Sequence, residues 1–132
     1  MHELQDQKLL VRLPEVLHLG ILSKQFSAQD ISTKFNINER TMHRRLKTAG
    51  TSFRNELDKV RQTLGLQLLS NTNLSIAEIA DVLAYKGSST FIRAFKRWND
   101  VSPQTWRRSN DQENLITLSK SDKVYLLSRK GN

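Results

Sequence analysis

Two groups of cationic and polar residues recur at helical spacing in this 132-residue chain. At about 100° per residue, Arg40, His43, Arg44 and Lys47 share one face of a helix, with Met42, Leu46 and Ala49 on the other. Farther along, Ser89, Ile92, Arg93 and Lys96 share a face backed by Phe91, Ala94, Phe95 and Trp98. Such a face suits a DNA major groove. An arginine there can donate two parallel hydrogen bonds to guanine N7 and O6, worth roughly 1–3 kcal/mol of discrimination. Lysines and flanking arginines suit phosphate, which gives salt-sensitive affinity without sequence choice. Ser89 can bond to a base or a phosphate, whereas Ile92 offers apolar contact only, as to a thymine methyl.

The elements that would position these faces are themselves repeated. Ser27-Ala28-Gln29-Asp30-Ile31 opens one unit and Ser75-Ile76-Ala77-Glu78-Ile79 opens another, 48 residues later. After the turn the offset becomes 49, because Gly87 or a neighbour adds one residue; Arg44 then matches Arg93, and Lys47 matches Lys96. A helix, a tight turn and a second helix bearing arginines is a helix-turn-helix. Its duplication points to one molecule reading two groove segments.

Around the repeat the pattern is helical throughout. Leu9, Leu10, Leu13, Val16, Leu17, Ile21 and Leu22 predict a first helix at about 8–22, with Pro14 best placed near a helix start. Ser27 reads as an N-cap, with Ile31 and Phe35 on the buried side. Asn36 occupies the turn, where a left-handed backbone is needed and asparagine is the best non-glycine choice. Asn38 caps the helix at about 39–49, and Gly50 ends it. From Ser52 to Asn71, a stripe of Phe53, Leu57, Val60, Leu64 and Leu68 predicts a long connecting helix, in which Gly65 marks a close helix contact. Ser75 and Glu78 form a capping box. Ser88 or Ser89 starts the sixth helix, which runs to about Trp98, and Ser102-Pro103 starts a seventh, which runs to about Asn110. Leu115–Leu118 and Val124–Leu127 fit either a small hairpin or a mobile tail.

The fold class expected is therefore all-α, about seven helices in two homeodomain-like helix-turn-helix subdomains. The division is 1–8 as a linker or disordered N-terminus, 9–50 as the first subdomain and 51–71 as the connecting helix. Residues 72–110 form the second subdomain and 111–132 the tail.

Composition narrows the function classes. With 21 basic and 13 acidic residues the net charge is +8, which favours a polyanionic partner. The absence of cysteine excludes disulfides, thiol catalysis and thiolate-ligated metals. His2 and His18 have no metal-ligand spacing, and the acidic residues are nowhere paired with a nucleophile, so neither metal, cofactor nor enzymatic activity is expected. No apolar run approaches the roughly 20 residues that span a bilayer. The start, Met1 to Asp6, is too polar for a signal peptide. A cytoplasmic, nucleoid-associated protein is expected, with no membrane partner.

The chain resembles the DNA-binding domain of the AraC/XylS family of bacterial transcription regulators. The match runs through Ile79-Ala80, Leu83-Ala84-Tyr85, Phe91, Arg93-Ala94-Phe95-Lys96-Arg97-Trp98, Val101-Ser102-Pro103 and Trp106-Arg107. The first unit joins it through Arg40-Thr41-Met42, Arg44-Arg45-Leu46-Lys47, Gly50 and Ser52-Phe53, and Arg61 fits the connecting helix. The resemblance covers about residues 9–109. It implies seven helices, sequence-specific binding of double-stranded DNA with two recognition helices in successive major grooves, and regulation of transcription. By the same resemblance, Arg40, His43, Arg44, Ser88, Ser89, Ile92 and Arg93 fall where family members contact bases. Asn38, Thr41, Arg45, Lys47, Lys86, Thr90, Lys96, Arg97 and Arg107 make up the expected phosphate set. RNA polymerase is expected as a protein partner. Effector binding is expected in a separate N-terminal domain not visible in these residues, so that the chain reads as an excised C-terminal domain. The alternative is a non-specific or architectural nucleic-acid binder, for which the charge alone would suffice. AraC-like domains fused to alkyl-transfer modules are a further precedent, against which the lack of cysteine argues.

Four positions depart from the family pattern: Ala84-Tyr85 replaces Gly-Phe, Gly87 replaces an acidic residue, and Ile92 is less polar than usual. A left-handed Ala84 would carry a steric cost. The first unit is therefore expected to carry most of the sequence choice, and the second chiefly affinity and register.

Overall fold

Short side-chain caps divide the chain into its elements. Ser27, Asn38, Ser52 and Ser75 each accept a hydrogen bond from the backbone N–H three residues on, at 2.9, 2.7, 3.1 and 3.0 Å. Ser102 does the same for Thr105 at 3.1 Å. Each such cap satisfies a helix-end donor and contributes about 1 kcal/mol. In the computed structural model, which describes residues 2–117, the helices are α1 (His2–Ser23), α2 (Ala28–Lys34), α3 (Glu39–Thr48), α4 (Phe53–Asn71), α5 (Ile76–Val82), α6 (Ser88–Asn99) and α7 (Pro103–Thr117). The described residues are thus all-α. No helix among them is long and apolar enough to cross a membrane.

The two helix-turn-helix turns share one backbone solution. Asn36 and Ala84 both lie in the left-handed region, at φ 57° and 64°. In each turn the next residue donates back to the preceding helix, Ile37 to the Ser32 carbonyl at 3.1 Å and Tyr85 to the Ala80 carbonyl at 3.0 Å. This is the closing bond of a Schellman motif, which satisfies carbonyls at the helix end. Asparagine tolerates that conformation, whereas alanine carries about 1–2 kcal/mol of steric cost. The expected strain at Ala84 is present. Gly50, at φ 84°, ends α3 in the same way.

One cluster of buried side chains joins both modules. Leu9, Leu13, Leu17 and Ile21 of α1 meet Ile31 of α2 and Met42 and Leu46 of α3; Val60, Leu64 and Leu69 of α4 continue the cluster to Ile79, Leu83, Phe91 and Phe95. The connecting helix α4 is therefore shared core. Gly65 is buried, but a Cβ there would make only ordinary van der Waals contacts, 3.4 Å from Leu83 Cδ1 and 3.6 Å from Phe91 Cε1, so the packing does not demand glycine as its position suggests. Gly20 is different. A Cβ there would come within 2.8 Å of the Gln25 carbonyl oxygen, so only glycine allows α1 to turn back onto α2.

Four expectations need correction. Residues 2–8 are not a linker: α1 begins at His2, and Asp6 and Leu9 are buried. Pro14 does not open this helix but sits inside it. A mid-helix proline costs about 3 kcal/mol, but full burial of a Leu or Ile side chain contributes about 1.5–3 kcal/mol each. Leu9 and Leu13 on one side of the proline, and Leu17 and Ile21 on the other, therefore hold the helix across it. The helix α7 extends past Asn110 to Thr117, with no proline or glycine to stop it. Leu115–Thr117 is consequently helical, which removes the first strand of the hairpin; Val124–Leu127, and the rest of 118–132, lie outside the described residues. Ala49 is exposed, because α3 has already unwound there to its C-cap.

Candidate nucleic-acid interface

Helix α3 is oriented by what it buries. Met42 and Leu46 are at most 1% exposed, and this turns Arg40, His43, Arg44 and Lys47 outward on one face. His43 is further held by an edge-to-face contact with Phe53 at the start of α4, with ring centroids 6.3 Å apart. Asn38 uses its carbonyl oxygen to cap the helix, leaving its amide NH2 as the free donor group. Thr41 is half-buried beside it.

Helix α6 follows the same plan with larger apolar residues. Phe91 and Phe95 are fully buried and Ala94 nearly so. Phe91 stacks on Tyr85, Phe91 meets Phe95 edge to face, and Phe95 meets Trp106 likewise. Ser89, Thr90, Arg93, Lys96 and Arg97 are exposed, Ser88 and Ile92 are half-buried, and Lys86 is exposed in the preceding turn. Gly87 stands at the N-cap with no side-chain cap bond. Arg44 and Arg93 each follow the first buried core residue of their helix, Met42 or Phe91, by two positions and point to solvent.

One member of the expected phosphate set is engaged by the fold itself. The Arg107 guanidinium clamps the end of α4 and the loop after it. Its Nε donates to the Leu69 carbonyl (3.1 Å), its Nη1 to Leu74 (2.7 Å), and its Nη2 to Leu68 (3.5 Å) and Thr72 (3.4 Å). An arginine fork matches the orphan carbonyls of a helix end, and this commitment replaces the expected phosphate role. Arg45 is half-buried on the flank of α3 that faces α1, lining a groove with Leu9, Val11, Arg12, Phe35 and Ile37.

The structure adds supports that spacing alone does not reveal. Arg61 donates from Nε to the Leu83 carbonyl at 3.0 Å and from Nη2 to the Ala84 carbonyl at 3.1 Å. Its guanidinium lies 4.2 Å from the Tyr85 ring centroid and 5.0 Å from that of Phe26. One side chain thereby fixes the strained turn before α6 and ties it to the α1–α2 connection. Burial pushes its pKa below the ordinary value, against the opposing pull of Tyr85 and Asp58; burial also raises that of the Tyr85 hydroxyl. Lys24 adds a second tie, donating to the Asp81 carbonyl and lying 3.9 Å from its carboxylate. Between α3 and α4, buried Glu56 accepts from Thr51 Oγ1 (2.7 Å) and Lys59 Nζ (3.0 Å), fixing the entry into α4. The signal for Arg61 was its position one turn beyond Leu57, within the apolar stripe of α4.

A family model described as a helix-turn-helix domain matches residues 31–109. The ornithine utilization regulator of Pseudomonas aeruginosa is 40% identical over 70 residues, covering 53% of this chain and 21% of that protein. The HTH-type transcriptional regulator VqsM of the same organism is 33% identical over 94 residues, covering 70% of this chain and 29% of that one. The chain thus spans less than a third of the length of these relatives. Among solved structures, the C-terminal domain of AraT, a response regulator from Geobacillus stearothermophilus, superposes with a TM-score of 0.66 at 28% identity, covering 74% of this chain and 82% of that one.

Proposed function

This chain belongs to the AraC-type helix-turn-helix family, and from that premise we propose that it binds double-stranded DNA at a bipartite site and regulates transcription. The observation that carries the reading is the pair of exposed cationic faces on α3 and α6, with Arg44 and Arg93 at matching positions over one continuous core. In this reading Arg40, His43 and Arg44 read bases in one major groove. Ser88, Ser89, Ile92 and Arg93 read the next groove. Asn38, Thr41, Arg45, Lys47, Lys86, Thr90, Lys96 and Arg97 hold phosphates. No reaction is catalysed. VqsM is named a transcriptional regulator and the other relative a regulator, which supports this role, and their greater length leaves room for effector binding outside the matched segment. RNA polymerase is the protein partner of such a regulator, and the nucleoid its place of work.

Selection of bound sequences from random duplex DNA, at two salt concentrations, tests the reading. Two half-motifs should emerge with centres about one helical turn, roughly 10–10.5 base pairs, apart. The half under α3 should be the more sharply defined, since α3 presents three base-reading candidates and α6 a partly apolar face. Affinity should fall steeply with salt. A pool with no enriched motif would instead support a non-specific architectural binder, and a sharper α6 half would reverse the assigned division of labour.

A further inference from the structure

A cleft of about 610 Å³ lies between the connecting helix α4 and the second recognition helix α6. One wall is the N-terminal half of α4, with Arg54, Asp58 and Arg61; the other is the turn before α6 and α6 itself, with Lys86, Arg93 and Arg97. It borders the α6 face and reaches the α3 face through one ring contact. Phe53 in its lining touches His43 of the α3 face, and Arg93 in its lining belongs to the α6 face. Arg54, Lys86, Arg93 and Arg97 are exposed, whereas the Arg61 donors are engaged by the Leu83 and Ala84 carbonyls. Asp58 is the one carboxylate lining this cleft. The exposed side chains of the lining are thus these four cations and Thr90, with Asp58 half-buried among them.

A duplex that spans both faces carries its sugar–phosphate backbone across the gap between the two major grooves. B-DNA presents one negative charge per roughly 1.7 Å of axis, so the spacer phosphates must be either matched or left facing protein. We propose that this cleft is a third contact zone, a phosphate site for the backbone between the half-sites, with Arg54 and Lys86 as its principal ligands. The inference rests on the duplex-binding reading and adds Arg54 to the interface. Because it concerns phosphates, the zone contributes affinity and register without base choice.

The test compares the wild-type protein with Arg54→Gln and Lys86→Gln on two duplexes, the selected site and a mixed-sequence control. Each variant should reduce the slope of log affinity against log salt by about 0.9 on both duplexes. Between 50 and 200 mM salt, that makes the fall in affinity smaller by about 3.5-fold per charge removed. Both residues are exposed, and unchanged thermal unfolding should accompany the change. On a selected duplex whose spacer phosphates are replaced by uncharged methylphosphonates, Arg54→Gln should cost nothing further. Unchanged slopes, or a loss that depends on spacer base identity and survives phosphate neutralisation, would overturn the phosphate assignment. If wild-type protein shows no preference for any duplex, the regulator reading fails while the slope comparison on mixed-sequence DNA still judges the cleft.

Discussion

Arg44→Ala is expected to flatten base preference at one position of the α3 half-site, by about 1–3 kcal/mol, which is roughly 5- to 160-fold in relative affinity. The argument starts from packing. Met42 and Leu46 are locked in the core, so the α3 backbone cannot rotate to re-aim its outer face. Arg44 leaves that face as a planar fork of donors, able to make two bonds to a guanine edge and only one to most alternatives. Truncation removes that difference and leaves the helix itself intact, because the side chain is exposed. Lys96→Ala should behave otherwise, weakening all sequences by a similar factor and reducing salt sensitivity. Competition binding against duplexes carrying each base pair at every position distinguishes the two. Uniform weakening by Arg44→Ala would assign that arginine to phosphate.

Arg61→Leu should destabilise the fold by about 3 kcal/mol in urea unfolding. Two carbonyls in the turn before α6 would lose their donor, at a cost of about 1–3 kcal/mol each. The stacking on Tyr85 and Phe26 adds roughly 0.5–2 kcal/mol. These terms overlap, and a new apolar contact from leucine offsets part of them, hence the intermediate figure. Arg61→Lys should recover less than half of the loss, because a single ammonium cannot bridge two carbonyls while lying flat between two rings. A loss under about 1 kcal/mol would show that the Ala84 turn holds itself without the guanidinium.

The sequence was most legible where a local rule operates. Ser27 reads as an N-cap and Ser75 with Glu78 as a capping box, and both caps form, Ser27 completing a box with Asp30 as well. Asn36 and Gly50 announce left-handed positions, and both are left-handed. The alternation of Met42 and Leu46 with exposed cations orients α3 without reference to the rest of the chain. Legibility failed where one local rule is overridden by distant packing. Proline is read as a helix start, yet the buried run from Leu9 to Ile21 carries α1 through Pro14. An arginine beside a basic helix is read as a phosphate ligand, yet Arg107 meets the carbonyl end of α4, 38 residues earlier in sequence at Leu69. Arg61 shows the converse: a cation inside an apolar stripe looks anomalous until the turn carbonyls of Leu83 and Ala84, 22 and 23 residues away, are placed against it. Gly20 was silent for the same reason, because the Gln25 carbonyl that forbids a side chain is defined only by the chain reversal.

The central claim is that α3 and α6 are held in one relation that fits two successive grooves on the same side of a duplex. The shared helix α4, the continuous core, and the ties through Arg61 and Lys24 all oppose independent movement of the modules. The most direct measurement is affinity for duplexes carrying both selected half-sites with 0, 2 or 5 base pairs inserted between them. Five base pairs turn one half-site to the opposite side of the helix, since a full turn takes about 10–10.5. Affinity should then drop to that of a duplex with a single half-site. Undiminished affinity at five inserted base pairs would contradict the account, because two recognition helices in a fixed relation cannot follow the groove around the duplex.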